Sequence, residues 1–151
     1  MARTDFYTRL VYARQIPGIG QVAYWLLKLL GAEIPRSVKI GPGFLLEHGG
    51  FGVVVHSHTT IGSRVHIYPG VTLGRADIYR PATESGFAGI IVEDDVILAP
   101  GAKIICKEGT LVVRRGSVIG ANAVLLQSTG EDEIWAGVPA RYTGKRPAYL
   151  P

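Results

Sequence analysis

From residue 34 onward, large aliphatic side chains recur at every sixth position: Ile34, Ile40, Leu46; then Val55, Ile61, Ile67, Leu73; then Val92, Leu98, Ile104; then Val113, Ile119, Leu125. An α-helix repeats its faces about every 3.6 residues and a strand about every 2, so neither gives a period of six. Four positions after many of these anchors stands a second small or apolar residue, at Val38, Thr59, Val65, Val71, Val96, Ala102, Ser117 and Ala123. Glycine directly follows an anchor at Gly41, Gly62, Gly74 and Gly120. Each unit thus supplies one large inward side chain, one small one and a turn. Three units close a triangular coil whose corners are relieved by glycine, and stacked coils pair their backbones as a single-stranded parallel β-helix. The competing all-β reading, a sandwich, calls for alternation of period two and turns about every 8–12 residues, which the fixed phase of the anchors argues against.

The phase breaks between Leu46 and Val55, between Leu73 and Val92, and between Ile104 and Val113, so loops are expected to leave the coil there. The middle one, loop 75–90, "GRADIYRPATESGFAGI", is the longest, and an excursion of that length on a rigid scaffold is expected to carry function. Ahead of the repeat, residues 4–15 and 20–30 read as two short helices, with Thr4 as cap of the first, a break from Pro17 to Gly20, and Gly31 ending the second. Trp25, Leu26, Leu29 and Leu30 in "QVAYWLLKLL" need a covering surface. The open end of the first coil needs covering too, so residues 1–31 are expected to form a helical cap, with a membrane-surface role for these helices as the other option. Residues 32–130 are then the β-helix and 131–151 a C-terminal tail.

A length of 151 residues with 47% apolar content fits one folding unit. The lone Cys106 forms no internal disulfide and offers no metal spacing, which points to a reducing compartment and a cytoplasmic location. Arg3, Asp5, Arg9 and Arg14 break up the N-terminal segment, which does not read as a signal peptide. The uncharged run from Arg14 to Lys28 contains Pro17, Gly18 and Gly20 and falls short of the ~20 residues that span a bilayer, so no transmembrane segment is expected. The formal net charge of +4 invites an anionic partner. Basic residues cluster only at Arg114-Arg115 and Arg141 to Arg146, without an aromatic-basic nucleic-acid motif, so a phosphorylated cofactor fits better than nucleic acid.

The segments "IPRSVKIGPGFLLEHGGFGVVVHSHTTIGSRVHIYPGVTLGR", "VILAPGAKI", "GSVIGANAVL" and "WAGVPARYTGK" carry a family likeness. Over roughly residues 32–146 the chain resembles the serine acetyltransferase branch of the hexapeptide-repeat acyltransferases, especially short members associated with sugar and polysaccharide acetylation. The resemblance implies a left-handed parallel β-helix of hexapeptide repeats, a homotrimer, and acetyl-CoA as co-substrate in a groove between neighbouring β-helices. Gly74, Ala99, Pro100, Gly101 and Ala121 offer small residues to line such a groove, and Arg141, Lys145 and Arg146 offer cations to the CoA phosphates.

Attack of a hydroxyl on a thioester needs a base, and histidine suits that role near neutral pH. The likeness assigns it to His48 in "LLEHGG", with Glu33 as the expected orienting partner and Glu47, directly before the histidine, as the second candidate acid. His56 and His58 alternate in "VVVHSHTT" and invite a zinc reading, but a zinc site needs a third well-placed ligand, so no metal is expected and both are assigned to the acceptor groove. His66 reads as a surface residue; Tyr68 is placed beside the acceptor. Where serine acetyltransferases carry a "DRHPKI"-like segment with a histidine and a carboxylate-binding arginine, this chain has "SGFAGIIV", so serine is in doubt as acceptor unless Arg75 or Arg80 compensates. About thirty residues stand where that branch has a large helical domain, and docking to a cysteine-synthesis partner is not expected. The expected activity is acetyl transfer from acetyl-CoA to a hydroxyl of a sugar, glycan precursor or metabolite. Serine O-acetyl transfer and a non-catalytic or metal-binding scaffold remain as alternatives.

Overall fold

A computed structural model of the chain describes residues 5–148. Two helices, α1 (Phe6–Ala13) and α2 (Gly20–Leu29), precede a three-faced parallel β-helix. Asp5 caps α1, its carboxylate accepting from the Thr8 amide at 2.8 Å; Thr4, the cap expected from the sequence, lies outside the described residues. The first face stacks β1 (Lys39–Ile40), β4 (Thr59–Ile61), β7 (Phe87–Val92) and β10 (Gly109–Val113). The second stacks β2 (Leu45–Leu46), β5 (His66–Ile67), β8 (Ile97–Leu98), β11 (Val118–Ile119) and β13 (Glu133–Ala136). The third stacks β3 (Val54–Val55), β6 (Thr72–Arg75), β9 (Lys103–Cys106) and β12 (Val124–Leu125).

The six-residue anchors resolve into three columns, one per face. Ile40, Ile61, Val92 and Val113 lie in register on the first. Leu46, Ile67, Leu98, Ile119 and then Trp135 do so on the second, and Val55, Leu73, Ile104 and Leu125 on the third. All but Ile40 are buried, and so are the eight small residues of the second pattern. One continuous core therefore runs down the axis, with side chains that are mostly β-branched and sit well on stacked parallel strands.

Corners are set by backbone in the left-handed region. One column of corners uses Gly43, Arg64, Asp95, Gly116 and Asp132, and another Gly52, Gly70, Gly101 and Asn122, all with φ between 53° and 75°. Glycine takes that conformation without strain, and Asn and Asp tolerate it, which explains why the corners are not all glycine. Arg64 offsets its strain with a paired contact to Asp95 one coil on, Nε to Oδ1 at 2.6 Å and Nη2 to Oδ2 at 2.8 Å.

The coil extends beyond the expected boundary at residue 130. After β12, Thr129 donates its amide to the Val112 carbonyl at 3.1 Å, following the first face, and β13 then joins the second. Only β14 (Arg141–Lys145) departs, folding back antiparallel on β13. The excursion after β6 is narrower than 75–90, because Arg75 still belongs to β6 and Phe87 already to β7.

Side chains of the helical segment satisfy backbone groups on the first coil. The Tyr12 hydroxyl donates to Gly41 O at 2.8 Å and accepts from the Phe44 amide at 3.1 Å. Thr8 Oγ1 accepts from the Leu46 amide at 3.1 Å, and the buried Arg14 donates to the carbonyls of Pro35 and Val38 at 2.9 Å. These are edge groups that no preceding strand can pair, so their partners must come from outside the sheet. Burial lowers the pKa of the Arg14 guanidinium to about 10, which leaves it charged at neutral pH. No helix of the described residues is long and apolar enough to cross a membrane.

Candidate active site

His48 stands at the corner between the second and third faces, where the phase break after Leu46 inserts extra residues. Its backbone is left-handed (φ 51°, ψ 32°), as is that of Gly49 (φ 76°) and Gly50 (φ 63°), so three successive residues turn the chain outward. A Cβ on Gly50 would come within 2.4 Å of the Leu46 side chain, and one on Gly49 within 3.0 Å of the Tyr7 ring of α1. The corner is therefore clamped between the core and α1, while the His48 side chain is exposed. Its ring centroid lies 6.1 Å from that of Tyr68, one coil on at the same corner.

Of the expected cofactor residues, Ala99, Pro100, Gly101 and Ala121 lie along this edge. Tyr68-Pro69-Gly70, Ala99-Pro100-Gly101 and Gly120-Ala121-Asn122 occupy the same corner in successive coils. The left-handed glycines stack there: a Cβ on Gly52 would meet Gly70 Cα at 3.5 Å, and one on Gly70 would meet Gly101 Cα at 3.5 Å. A strip of small side chains and closely stacked glycines thus descends from the His48 corner, a shape suited to a long thin ligand. Arg141, paired with Ala136 at the start of β14, lies at that end of the second face. Lys145 does not: β14 carries it back across the face, where its ammonium meets Glu133 at 3.8 Å and the Glu131 carbonyl at 2.5 Å. Arg146 is likewise tied to the carbonyls of Asp95 (2.8 Å) and Gly116 (3.1 Å), at a different corner.

Neither expected acid bonds to His48 within the chain. Glu33, bridged to Val54 on the third face, pairs with Lys28 at the end of α2, 3.0 Å away with both side chains exposed. Glu47 turns to the next coil and meets His66 Nδ1 at 2.7 Å. His66 is therefore not the simple surface residue that its position suggested. The register pairs Leu45 with His66, so Glu47, two residues on, lies diagonally across from His66 on the same outward side.

The remaining acceptor candidates sit at the other end of the third face. His56 and His58 have ring centroids 5.3 Å apart, and His56 packs edge-on against Phe87 at 4.7 Å. Burial, then the nearby His58 and Arg75, lowers the His56 pKa and favours the neutral ring. Arg75 reaches Asp77 at 3.6 Å and donates to the Arg80 carbonyl at 2.8 Å, fixing the root of the loop; Asp77 is only 4% exposed. Phe87 and Asp77 were not legible as site residues, because both lie where the six-residue phase is lost. Gly74, on β6 beside Arg75, belongs to this second corner. Among the described residues, no group of three or more His, Cys, Asp or Glu is placed to hold a metal ion.

No protein-family model matches the chain. The serine acetyltransferase of Bacillus licheniformis is 37% identical over 111 residues, 74% of this chain and 47% of that protein. The serine acetyltransferase of Bacillus pumilus is 33% identical over 138 residues, 90% of this chain and 57% of that protein. Among solved structures, serine acetyltransferase from Brucella abortus in complex with coenzyme A superposes with a TM-score of 0.69 at 29% identity, covering 85% of this chain and 50% of that one. Serine acetyltransferase from Vibrio cholerae gives 0.70 at 27% identity, covering 87% and 49%. The chain spans about half the length of the curated relatives it matches. The coil of six-residue units and these relatives agree, and the chain belongs to the serine acetyltransferase-like branch of the hexapeptide-repeat acyltransferases.

Proposed function

We propose that the chain carries out acetyl transfer from acetyl-CoA to a hydroxyl of a small acceptor, on a left-handed coil whose first turn is closed by α1 and α2. The observation that carries this reading is the alignment of His48 with the small-residue edge formed by Gly70, Ala99 to Gly101 and Ala121. The pantetheine arm lies along that edge and brings the thioester to His48. His48 takes the proton from the acceptor hydroxyl as its oxygen attacks the thioester carbonyl, and returns it to the sulfur of CoA as the carbon–sulfur bond breaks. The products are an acetyl ester and free CoA.

The two halves of the site lie at opposite ends of the third face, the His48 edge at one and His56, His58, Arg75 and Phe87 at the other. A homotrimer brings them together, the edge of one protomer against the second corner of its neighbour, and supplies the cleft that a filled coil lacks. Glu33 is the orienting carboxylate. Its ion pair with Lys28 is exposed and easily exchanged for the imidazole of a bound-state His48. Glu47, held by His66, positions the corner instead. Serine is the acceptor in the names of the relatives above and is the first to test, with Arg75 as the cation for its carboxylate; sugars form the second class. Thioester cleavage followed over a panel of serine, homoserine, hexoses and amino sugars decides between them. Turnover with none of these acceptors would count against a transferase, and light scattering giving a monomer mass would remove the shared cleft.

The edge itself can be blocked. Ala121 is exposed in the strip, so Ala121→Trp is expected to leave the fold intact and weaken CoA binding at least tenfold by calorimetry. Unchanged affinity would put the CoA site elsewhere.

A further inference from the structure

His56 is held by its neighbours in one proton state. Its Nδ1 accepts the backbone N–H of His58 at 3.1 Å, and a ring nitrogen can accept an amide hydrogen only if it carries none itself. In the neutral ring the single proton is therefore on Nε2. Packing fixes the orientation of the ring. His56 crosses Phe87 and His58 at 74° and 77°, with centroids 4.7 Å and 5.3 Å away, while Phe87 and His58 are parallel to within 5°. Protonating Nδ1 would break the amide bond, and burial, with the nearby His58 and Arg75, opposes the cation as well. The side chain is half-buried, and among the described residues its Nε2 has no hydrogen-bond partner. The corner thus presents a neutral N–H donor of set direction.

We propose that His56 donates this N–H to the oxyanion that forms on the thioester carbonyl, and that it does not act as a base. The proposal rests on the acetyl transfer and the shared cleft set out above, in which the second corner of one protomer faces the His48 edge of its neighbour. A base needs a lone pair directed at the acceptor hydroxyl, and the lone pair of His56 is occupied by the His58 amide. A fixed N–H in a positive field suits the opposite task, holding negative charge that develops during the reaction. Arg75 supplies that field, and its Nη2 is itself fixed on the Arg80 carbonyl at 2.8 Å. As the acceptor oxygen bonds to the carbonyl carbon, His48 takes the hydroxyl proton and the carbonyl oxygen becomes negative. His56 hydrogen-bonds that oxygen and keeps its own proton. When the carbon–sulfur bond breaks, the charge on oxygen re-forms the carbonyl of the ester, the sulfur receives the proton from His48, and His56 is unchanged.

Nitrogen-15 NMR of the full chain labelled in histidine reads the ring state directly and needs no activity. His56, assigned by the signals missing from His56→Gln, is expected as the tautomer with a protonated Nε2 and a bare Nδ1 at neutral pH. The reverse tautomer, or an imidazolium, overturns the proposal. Acetyl-transfer kinetics then test the role. His56→Ala should lower kcat by about 10²-fold with acceptor KM and CoA affinity nearly unchanged, the effect of losing one oxyanion donor. His56→Gln places an amide N–H close to the position of Nε2 and should recover roughly tenfold of that loss, whereas glutamine cannot replace a base. Glutamine as slow as alanine, in variants whose melting curves match the parent, overturns the proposal. So does a raised acceptor KM at unchanged kcat, which would put His56 on the acceptor in the ground state. Failure of the parent chain to acetylate any acceptor would sink the function and the oxyanion role together, while a wrong tautomer in an active enzyme would sink the oxyanion role alone.

Discussion

His48→Ala is expected to slow acetyl transfer by about 10²–10⁴-fold, equivalent to about 3–5 kcal/mol in the barrier, with CoA affinity nearly unchanged. The imidazole is exposed at a corner whose backbone is fixed by Gly49 against Tyr7 and Gly50 against Leu46, so its removal does not disturb the core. The strip below it, which the CoA arm would follow, consists of other residues and is unaltered. Loss of rate without loss of binding is the signature of a group that acts in the transition state. Single-turnover acetyl transfer measures it, with His56→Ala and His58→Ala alongside. Near-full activity in His48→Ala, together with collapse in either of the others, would move the base to the opposite corner of the third face. Glu33→Gln should cost less than His48→Ala, because an orienting carboxylate does not take the proton.

How far the fold was legible depends on where the period of six holds. Between Ile34 and Leu125 the anchors alone place twelve of thirteen side chains in the core, and they sort into faces by counting, since three units make a coil. The period is a direct consequence of packing, so it survives in the sequence. Beyond Leu125 it lapses, because Thr129 and Trp135 continue the first and second faces with different spacing, so the pattern alone ends the coil short of β13. The loop shows the same limit: the Arg75 hydrogen bond to the Arg80 carbonyl and the burial of Asp77 at its root are contacts that no periodicity encodes.

At the site, positions along the edge were readable and partnerships were not. His48, Tyr68, Ala99 to Gly101 and Ala121 share one corner because the repeat puts them there. Side chains at a corner can turn to either neighbouring coil, and the choice is made by what lies there. Glu47 takes His66 rather than His48, and Glu33 takes Lys28. Lys145 and Arg146 fell away from the edge for a topological reason, since β14 reverses direction and carries them to the far side of the face.

Leu98→Ala is expected to lower the free energy of unfolding by about 3–4 kcal/mol, within the range for truncating a fully buried leucine. Leu98 is 0% exposed on β8, with Ile67 in register on one side and Ile119 on the other. The fixed spacing of hydrogen-bonded coils prevents the neighbours from collapsing into the cavity, so the cost should fall in the upper part of that range. Ile40→Ala provides the contrast: its side chain is only half-buried in the first coil and has a register partner on one side, Ile61. Its loss should cost about half as much. Because each coil contacts only its neighbours, the damage at Leu98 splits the stack near its middle and removes coupling between the two halves. Urea unfolding followed by far-ultraviolet circular dichroism gives both free energies, and a second transition appearing only in Leu98→Ala would report the uncoupled halves. Equal losses in the two variants would mean that the coils do not act as stacked units.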